Sequence, residues 1–171
     1  MRLICTILFT CNLLFAGIFD FSTISSDFKQ TITNEENSQI VYEGSFYATT
    51  QKKALWIYKT PVEKKIYFNK NKVIILEPEL EQAIITNLEN TPNITELLKK
   101  SVKKDNGNYE ARFENTTYVI HTRNDVIKEI TYKDKLANSV KIELFNQTTN
   151  TVLDDTLFQV KIPFDFDIIT Q

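Results

Sequence analysis

Apolar residues follow two different spacings along this chain, and each spacing predicts a different kind of element. Near the start, Phe21, Ile24, Phe28 and Ile32 lie three or four positions apart, which is the stripe of an amphipathic helix over 21–32. From residue 40 onwards apolar and polar side chains alternate, which is typical of strands with one buried face. Strands are predicted in this way at 40–48 and 54–58. Ile66 and Phe68 lead from there into a turn, and the apolar run Val73 to Leu76 returns from it.

The alternation stops again between residues 78 and 103. Residues 80–88 are compatible with either a strand or a helix. Beyond them, Asn93 and Glu96 have the spacing of a capping box, with Thr91 as an alternative cap and Pro92 where a first helical turn tolerates proline. The helix predicted from this point has an apolar side formed by Ile94, Leu97, Leu98 and Val102.

Turn residues mark the ends of strands in two places. A hairpin is expected at Asn69-Lys70-Asn71, and a second turn is expected at Asp105-Asn106-Gly107-Asn108, where the last third of the chain returns to strands. After a polar loop over 146–155, a last strand is predicted to carry Phe158, Val160 and Ile162. Four other strands are predicted at 109–113, 117–122, 126–132 and 140–144. Roughly nine or ten short strands indicate an α+β domain, mainly antiparallel, with one buried face.

The first 16 residues have the pattern of a secretory signal peptide. Arg2 precedes an apolar run from Leu3 to Phe15, and small residues follow at Ala16 and Gly17. The run is shorter than the roughly 20 residues that a transmembrane helix needs. We therefore expect cleavage after Ala16 and a single domain over 17–171. Cleavage would remove Cys5 and Cys11, so the mature chain would hold itself together without disulfides.

Composition disfavours several functional classes. The chain has three glycines, two cysteines, one histidine and a formal net charge of −2. The glycines are too far apart to form a phosphate-binding loop, and the cysteines and histidine are too few for a zinc site. The slightly acidic balance does not favour nucleic-acid binding. No cofactor or metal is expected.

Several short motifs, in order, resemble the outer-membrane lipoprotein carrier (LolA) family. Phe28-Lys29-Gln30 is similar to its Phe-x-Gln, and Gly44 followed by Leu55-Trp56-Ile57-Tyr58-Lys59-Thr60-Pro61 to its Gly and Phe-x-Trp-x-x-x-x-Pro strand. Glu77-Pro78-Glu79-Leu80-Glu81-Gln82 is similar to its Asp-Pro-x-x-x-Gln segment, and Asn90-Thr91-Pro92 precedes the second helix as in some members. The closing segments, 158–163 and 165–169, resemble the family's last strand and tail.

The resemblance implies an unclosed, curved β half-barrel covered by an α-helical lid. It implies a periplasmic carrier, not an enzyme, that binds the acyl chains of lipoproteins released by an inner-membrane ABC transporter. The carrier would deliver them to the outer membrane, where a receptor is a further partner, and would act as a monomer. A periplasmic sensor or regulatory adaptor with the same half-barrel fold is the alternative, although such proteins usually carry an additional domain.

The resemblance also suggests which residues would bind lipid. Ala54, Trp56 and Tyr58 would face inward from one strand, Phe28 would approach from the first helix, and the second helix would close over them with Ile94, Leu97 and Leu98. Taken one by one, these residues fit an ordinary hydrophobic core better, since alternating apolar positions in strands usually form one, and only the resemblance favours a cavity.

The sequence departs from the family pattern at two positions. The family's Arg-Pro pair, whose arginine latches the lid, falls on Thr50-Gln51, and Thr50 cannot supply charged donors. Lys52 or Lys53 is the expected substitute. Ala54 occupies the position of the family's usual Phe, which removes bulk from the expected cavity wall.

Two other features have both a functional and a purely structural interpretation. His121 is a possible general base, but it is more simply an ordinary strand histidine, since no cysteine or second histidine accompanies it in the mature chain. Lys99, Lys100, Lys103 and Lys104 form a basic cluster, which is most often a solvated face and otherwise a contact for an acidic partner or anionic lipid headgroups.

Overall fold

The fold is a single twelve-stranded sheet with one short α-helix among the residues that the structure, a computed structural model, describes: 19–69, 71–87 and 94–170. The predicted signal peptide lies outside the described residues. The strands are β1 (Thr23–Thr33), β2 (Gln39–Thr49), β3 (Lys53–Thr60), β4 (Lys64–Asn69), β5 (Lys72–Glu77), β6 (Gln82–Asn87), β7 (Val102–Lys103), β8 (Tyr109–Phe113), β9 (Thr116–Arg123), β10 (Val126–Lys133), β11 (Ser139–Thr149) and β12 (Asp167–Thr170), and the helix is α1 (Ile94–Lys99).

The strand order in the sheet is β12-β6-β5-β4-β3-β2-β1-β11-β10-β9-β8-β7. Ten of the eleven pairings are antiparallel, and only β12 runs parallel to its neighbour β6. Two meanders therefore meet where β1 pairs with β11, and β12 and β7 are the two open edges. This topology confirms the expected unclosed, mainly antiparallel sheet.

The sheet is strongly curved, and the main core lies on its inner side. Tyr118 on β9 and Ile66 on β4 line one cavity although six strand spacings separate β9 from β4. In a flat sheet these strands would be about 29 Å apart. Side chains from both meanders also form one hydrophobic cluster, which includes Phe28, Phe46, Ile130 and Ile142. Curvature thus turns one sheet face into a half-barrel interior.

The first predicted helix is wrong, because residues 23–33 form the central strand β1. In β1 the buried positions are Ile24, Ser26, Phe28 and Gln30, which alternate as in any strand with one buried face. Polar residues occupy two of the four positions and hide the period of two. Ser26 is satisfied by donating to the carbonyl of Phe145, and Gln30 by accepting from the hydroxyl of Tyr58. Phe28 therefore lies on a strand and not on a lid helix.

The second interruption resolves into a strand and a short helix. Residues 82–87 form β6, which decides the ambiguous segment in favour of a strand. The helix α1 ends at Lys99, and Val102 lies in β7 with 62% of its surface exposed, so its predicted place on the helix's apolar side is wrong. The capping residues Thr91, Pro92 and Asn93 lie outside the described residues.

The predicted last strand is also wrong. Asp155–Phe158 form a 3-10 turn, and residues 159–163 pair with no strand. Their side chains alternate between more buried and exposed positions because the segment lies across the outer face of the sheet. There Phe158 packs in a second cluster with Leu55, Tyr67, Leu76 and Ala83. The true last strand, β12, follows at the edge of the sheet. The described residues thus contain twelve strands and not the expected nine or ten. The expected polar loop starts later because β11 continues to Thr149.

The two turn predictions are confirmed. β4 and β5 form a hairpin closed by the Asn69–Lys72 pair. Gly107 adopts a φ of +83° in the turn between β7 and β8, a conformation that favours glycine. The strands predicted at 109–113, 117–122, 126–132 and 140–144 are present as β8 to β11. No helix in the described part of the chain is long and apolar enough to span a membrane.

Candidate functional site

A largely apolar cavity of about 230 Å³ lies between the inner face of the sheet and helix α1. Its walls come from both meanders and from the start of the helix. The lining residues are Gln30, Ala54, Trp56, Tyr58, Ile66, Phe68, Ile94, Tyr118, Ile130, Tyr132 and Ile142. None of these side chains carries a charge, so the cavity is suited to an apolar ligand.

One wall is formed by the paired strands β3 and β4. Ala54 lies opposite Phe68, Trp56 opposite Ile66, and Tyr58 opposite Lys64. Because side chains on one face recur every second residue, these pairs form two parallel rows along the cavity. The small side chain of Ala54 leaves space at the end of the row that approaches Ile94 on the helix.

The aromatic side chains of this wall are held from behind by Phe28. Its ring lies 5.0 Å from the rings of both Trp56 and Tyr58 in edge-to-face geometry. Gly44 makes this packing possible, since a Cβ at that position would lie 2.9 Å from Phe28 Cε1 and 1.9 Å from the carbonyl oxygen of Ile57. Phe28 is therefore part of the support and does not line the cavity.

The opposite end of the β3 row is polar. The hydroxyl of Tyr58 donates to Gln30 Oε1 at 3.0 Å, and Lys64 Nζ lies 4.8 Å from the centre of the Tyr58 ring. Burial raises the pKa of Tyr58 well above its ordinary value and that of Tyr132 to about 12. Both hydroxyls therefore stay protonated at neutral pH, and the Tyr58 hydroxyl uses its proton in the hydrogen bond to Gln30.

Helix α1 covers the apolar end. Ile94 lines the cavity, and Leu97 and Leu98 are buried in the main core beside it. The side chain of Thr95 reaches the carbonyl of Thr49 at 3.4 Å. The helix thus rests on the sheet through about two turns, of which only the first touches the cavity.

The three basic or polar residues expected near the lid have different surroundings. Lys52 Nζ lies 3.1 Å from Glu96 Oε1 on the helix. Lys53 Nζ instead lies 2.8 Å from Asp155 Oδ1 in the C-terminal segment. Thr50 is exposed, and its backbone N–H donates to the carbonyl of Ser22. Of the three, only Lys52 forms an ion pair with the helix.

The structure therefore brings Ala54, Trp56, Tyr58 and Ile94 together at the cavity and places Phe28, Leu97 and Leu98 in the core around it. Sequence reasoning missed the other seven lining residues: Gln30, Ile66, Phe68, Tyr118, Ile130, Tyr132 and Ile142. Their alternation marks most of them as inward-facing, but it does not show which inward residues face each other across the sheet.

These features define the class: a half-barrel binding protein with an apolar cavity beneath a short helix. The chain belongs to the outer-membrane lipoprotein carrier (LolA) family, whose model, described as outer membrane lipoprotein carrier protein LolA, matches residues 20–122. It is 40% identical over 156 residues to the outer-membrane lipoprotein carrier protein of Campylobacter jejuni, with 91% of each chain covered. The carrier protein of Wolinella succinogenes is 34% identical over 157 residues, again with 91% of each chain covered.

Solved structures support the fold assignment. A LolA superfamily protein from Nitrosomonas europaea has a TM-score of 0.53 at 7% identity, covering 82% of this chain and 91% of that chain. An uncharacterised conserved protein from Thermus thermophilus has a TM-score of 0.54 at 9% identity, and the match covers 90% of this chain and 93% of that chain. At such low identity the likeness concerns the fold alone.

Proposed function

We propose that this protein is a periplasmic carrier that binds the acyl chains of lipoproteins and moves them to the outer membrane. The observation that carries the proposal is the apolar cavity of about 230 Å³ between the half-barrel and α1. Membership of the lipoprotein carrier family supports it. In this proposal residues 1–16 are the export signal, and 17–171 form the single carrier domain.

A carrier is needed because acyl chains leave a membrane slowly. A chain of roughly 16 carbons, at about 0.8 kcal/mol per CH₂, is held out of water by on the order of 12 kcal/mol. The apolar side chains that line the cavity, among them Trp56, Ile66 and Phe68, replace part of the membrane interior during transfer. The partners in this scheme are an inner-membrane lipoprotein-releasing ABC transporter and the outer membrane or a receptor there. The protein acts as a monomer, since one chain encloses the cavity.

Loading requires the helix to move. The cavity of about 230 Å³ is smaller than the roughly 300–1,000 Å³ of common small-molecule sites, so it has no space for a triacylated group in this conformation. Helix α1 would act as the lid, and the Lys52–Glu96 ion pair would hold it in place of the family's arginine. Because that pair is exposed and contributes only about 0.2–1 kcal/mol, it leaves the lid easy to open.

Fluorescence of Trp56 gives a direct test, because Trp56 is the chain's only tryptophan and it lines the cavity. A lipopeptide with brominated acyl chains should quench this fluorescence. Ala54→Phe, which narrows the cavity, should weaken the quenching, whereas Ile57→Phe on the opposite face of β3 should not. In cells, depletion should strand outer-membrane lipoproteins in the inner membrane. Unchanged sorting, together with no acylated protein co-purifying, would refute the carrier function.

A further inference from the structure

The cation Lys64 lies beside Tyr58 at the polar end of the cavity, whose lining residues are uncharged. Lys64 lies directly opposite Tyr58 in the β3–β4 ladder, and it begins the row that continues with Ile66 and Phe68 on the same face. Both of those residues line the cavity. Since alternate residues of a strand share a face, Lys64 extends from the rim over the inner side of the sheet, and Lys65 points away from it.

Two aromatic rings hold the Lys64 side chain over this end. Its Nζ lies 4.8 Å from the centre of the Tyr58 ring and 5.1 Å from that of Tyr42. Such cation–π contacts position an ammonium group without neutralising its charge. Among the ion pairs found within the described residues, none involves Lys64. Lys64 is half-buried, and its ammonium group thus keeps its capacity to pair with an anion.

The surroundings of Lys64 supply further donors and no competing carboxylate from the cavity wall. None of the lining residues is acidic. Asp134, which lies near Tyr132, is engaged in its own turn, where it accepts from the backbone N–H groups of Leu136 and Asn138. The Tyr58–Gln30 hydrogen bond occupies the Gln30 carbonyl oxygen and not its amide N–H groups, and Gln30 itself lines the cavity. An anion at this end would therefore meet several donors.

We propose that this polar end is a head-group subsite for a single-chain anionic amphiphile, an acyl chain that ends in a carboxylate or a phosphate. Lys64 pairs with the anionic head, and the chain lies along Trp56, Ile66 and Phe68 towards Ile94. The inference rests on the proposed function, because it assumes that the cavity accepts acyl chains. The volume of about 230 Å³ favours one chain over three, so free fatty acids or lysophospholipids occupy the carrier when it holds no lipoprotein.

Binding of short-chain probes to the purified protein, followed by Trp56 fluorescence at pH 8, tests the subsite. The probes are dodecanoate and dodecyl phosphate below their micellar concentrations and uncharged dodecanol below its solubility limit, with inorganic phosphate as a control without a chain. For a partly exposed ion pair we expect the two anionic amphiphiles to bind about 2- to 5-fold more tightly than dodecanol. A stronger effect of one anion identifies the carboxylate or the phosphate as the preferred head.

Substitutions assign the preference to the side chain. Lys64→Gln should abolish the advantage of the anionic probes and leave dodecanol binding unchanged, whereas Lys64→Arg should retain it. Lys65→Gln makes the same charge change on the outer face and should have no effect. An unchanged preference in Lys64→Gln, or equal binding of all three amphiphiles to the native protein, overturns the subsite but not the carrier function. Binding of phosphate without a chain also overturns it. If no amphiphile binds, the carrier function fails as well.

Discussion

At the scale of single residues, Gly44 shows how tightly the support of the cavity wall is built. The bulge between β2 and β3 brings the carbonyl of Ile57 to within 1.9 Å of the place where a Cβ would stand. The same missing side chain makes room for the Phe28 ring, which supports Trp56 and Tyr58. Gly44 is therefore required for its lack of volume and not for a left-handed backbone.

Gly44→Ala is expected to destabilise the fold by about 3 kcal/mol, because a backbone oxygen cannot move aside as a flexible side chain can. Urea denaturation measures the loss. Gly107→Ala is the matched control, since nothing lies within 4 Å of its added Cβ and only the positive φ is strained; it should cost about 1 kcal/mol. Equal losses in the two variants would contradict the steric role of Gly44.

Tyr132 links stability to alkaline pH. Burial raises the pKa of its hydroxyl to about 12, whereas in the unfolded chain it is near 10. Below about pH 10 both states keep the proton, and the full stability is present. Between about pH 10 and 12 the unfolded state loses the proton first, so the free energy of unfolding falls as pH rises.

Tyr132→Phe should therefore lose less stability between pH 10 and 12 than the native protein does. The difference is expected to be on the order of 2 kcal/mol. Urea titrations at pH 8, 10, 11 and 12 follow it, and the pH 8 values correct for the effect of the missing hydroxyl itself. Parallel curves for the two proteins would show that Tyr132 does not titrate as its burial implies.

At the scale of elements, the contrast between β1 and α1 shows where local pattern is informative. Ser26 and Gln30 occupy inward positions of β1, so the apolar residues that remain fit a helix better than a strand. Their hydrogen-bond partners come from β11 and β3, which are distant in sequence. A strand whose polar inward residues are satisfied only by tertiary contacts is not recognisable from its own segment.

Lys52 and Lys53 give a paired test of how α1 is held. Lys52→Ala removes the ion pair with Glu96, so amide exchange in α1 should accelerate by up to about fivefold, as expected for an exposed pair. Lys53→Ala removes a contact to Asp155 and should leave exchange in α1 unchanged. Equal protection of α1 in the native protein and in Lys52→Ala would remove the idea that Lys52 substitutes for the family's arginine.

At the scale of the whole molecule, the sheet serves two cores. The inner face carries the main core and the cavity, whereas the outer face of β3 to β6 is covered by the C-terminal segment that contains Phe158. Trp56 and Leu55, neighbours on β3, therefore belong to different layers. Stability can be changed from the outer layer without altering the surface that lines the cavity.

Phe158→Ala is expected to lower the free energy of unfolding by about 3–5 kcal/mol, because Phe158 is only 3% exposed and packs in a cluster with Leu55, Tyr67 and Leu76. Acyl-chain binding measured through Trp56 under native conditions should stay unchanged. Val152→Ala, at a fully exposed position in the preceding loop, is the control and should change neither quantity. A loss of binding in a folded Phe158→Ala protein would show that the two layers are coupled.

Much of the molecule follows from sequence alone. The period of two predicts β2 to β4 and β8 to β11, turn residues such as Asn69 and Gly107 mark their ends, and the ordered motifs identify the family. Each of these signals is local, because alternation and turn chemistry depend on neighbours along the chain. The same local signals predict the inward direction of Ala54, Trp56 and Tyr58.

Only the tertiary structure decided the rest. The parallel pairing of β12 with β6 and the covering of the outer face by residues 153–166 depend on contacts between distant segments. Which inward residues form a cavity wall and which fill the core depends on the curvature of the sheet, since curvature sets the distance between β4 and β9. A side chain can face inward for local reasons, but empty space in front of it is a property of the whole fold.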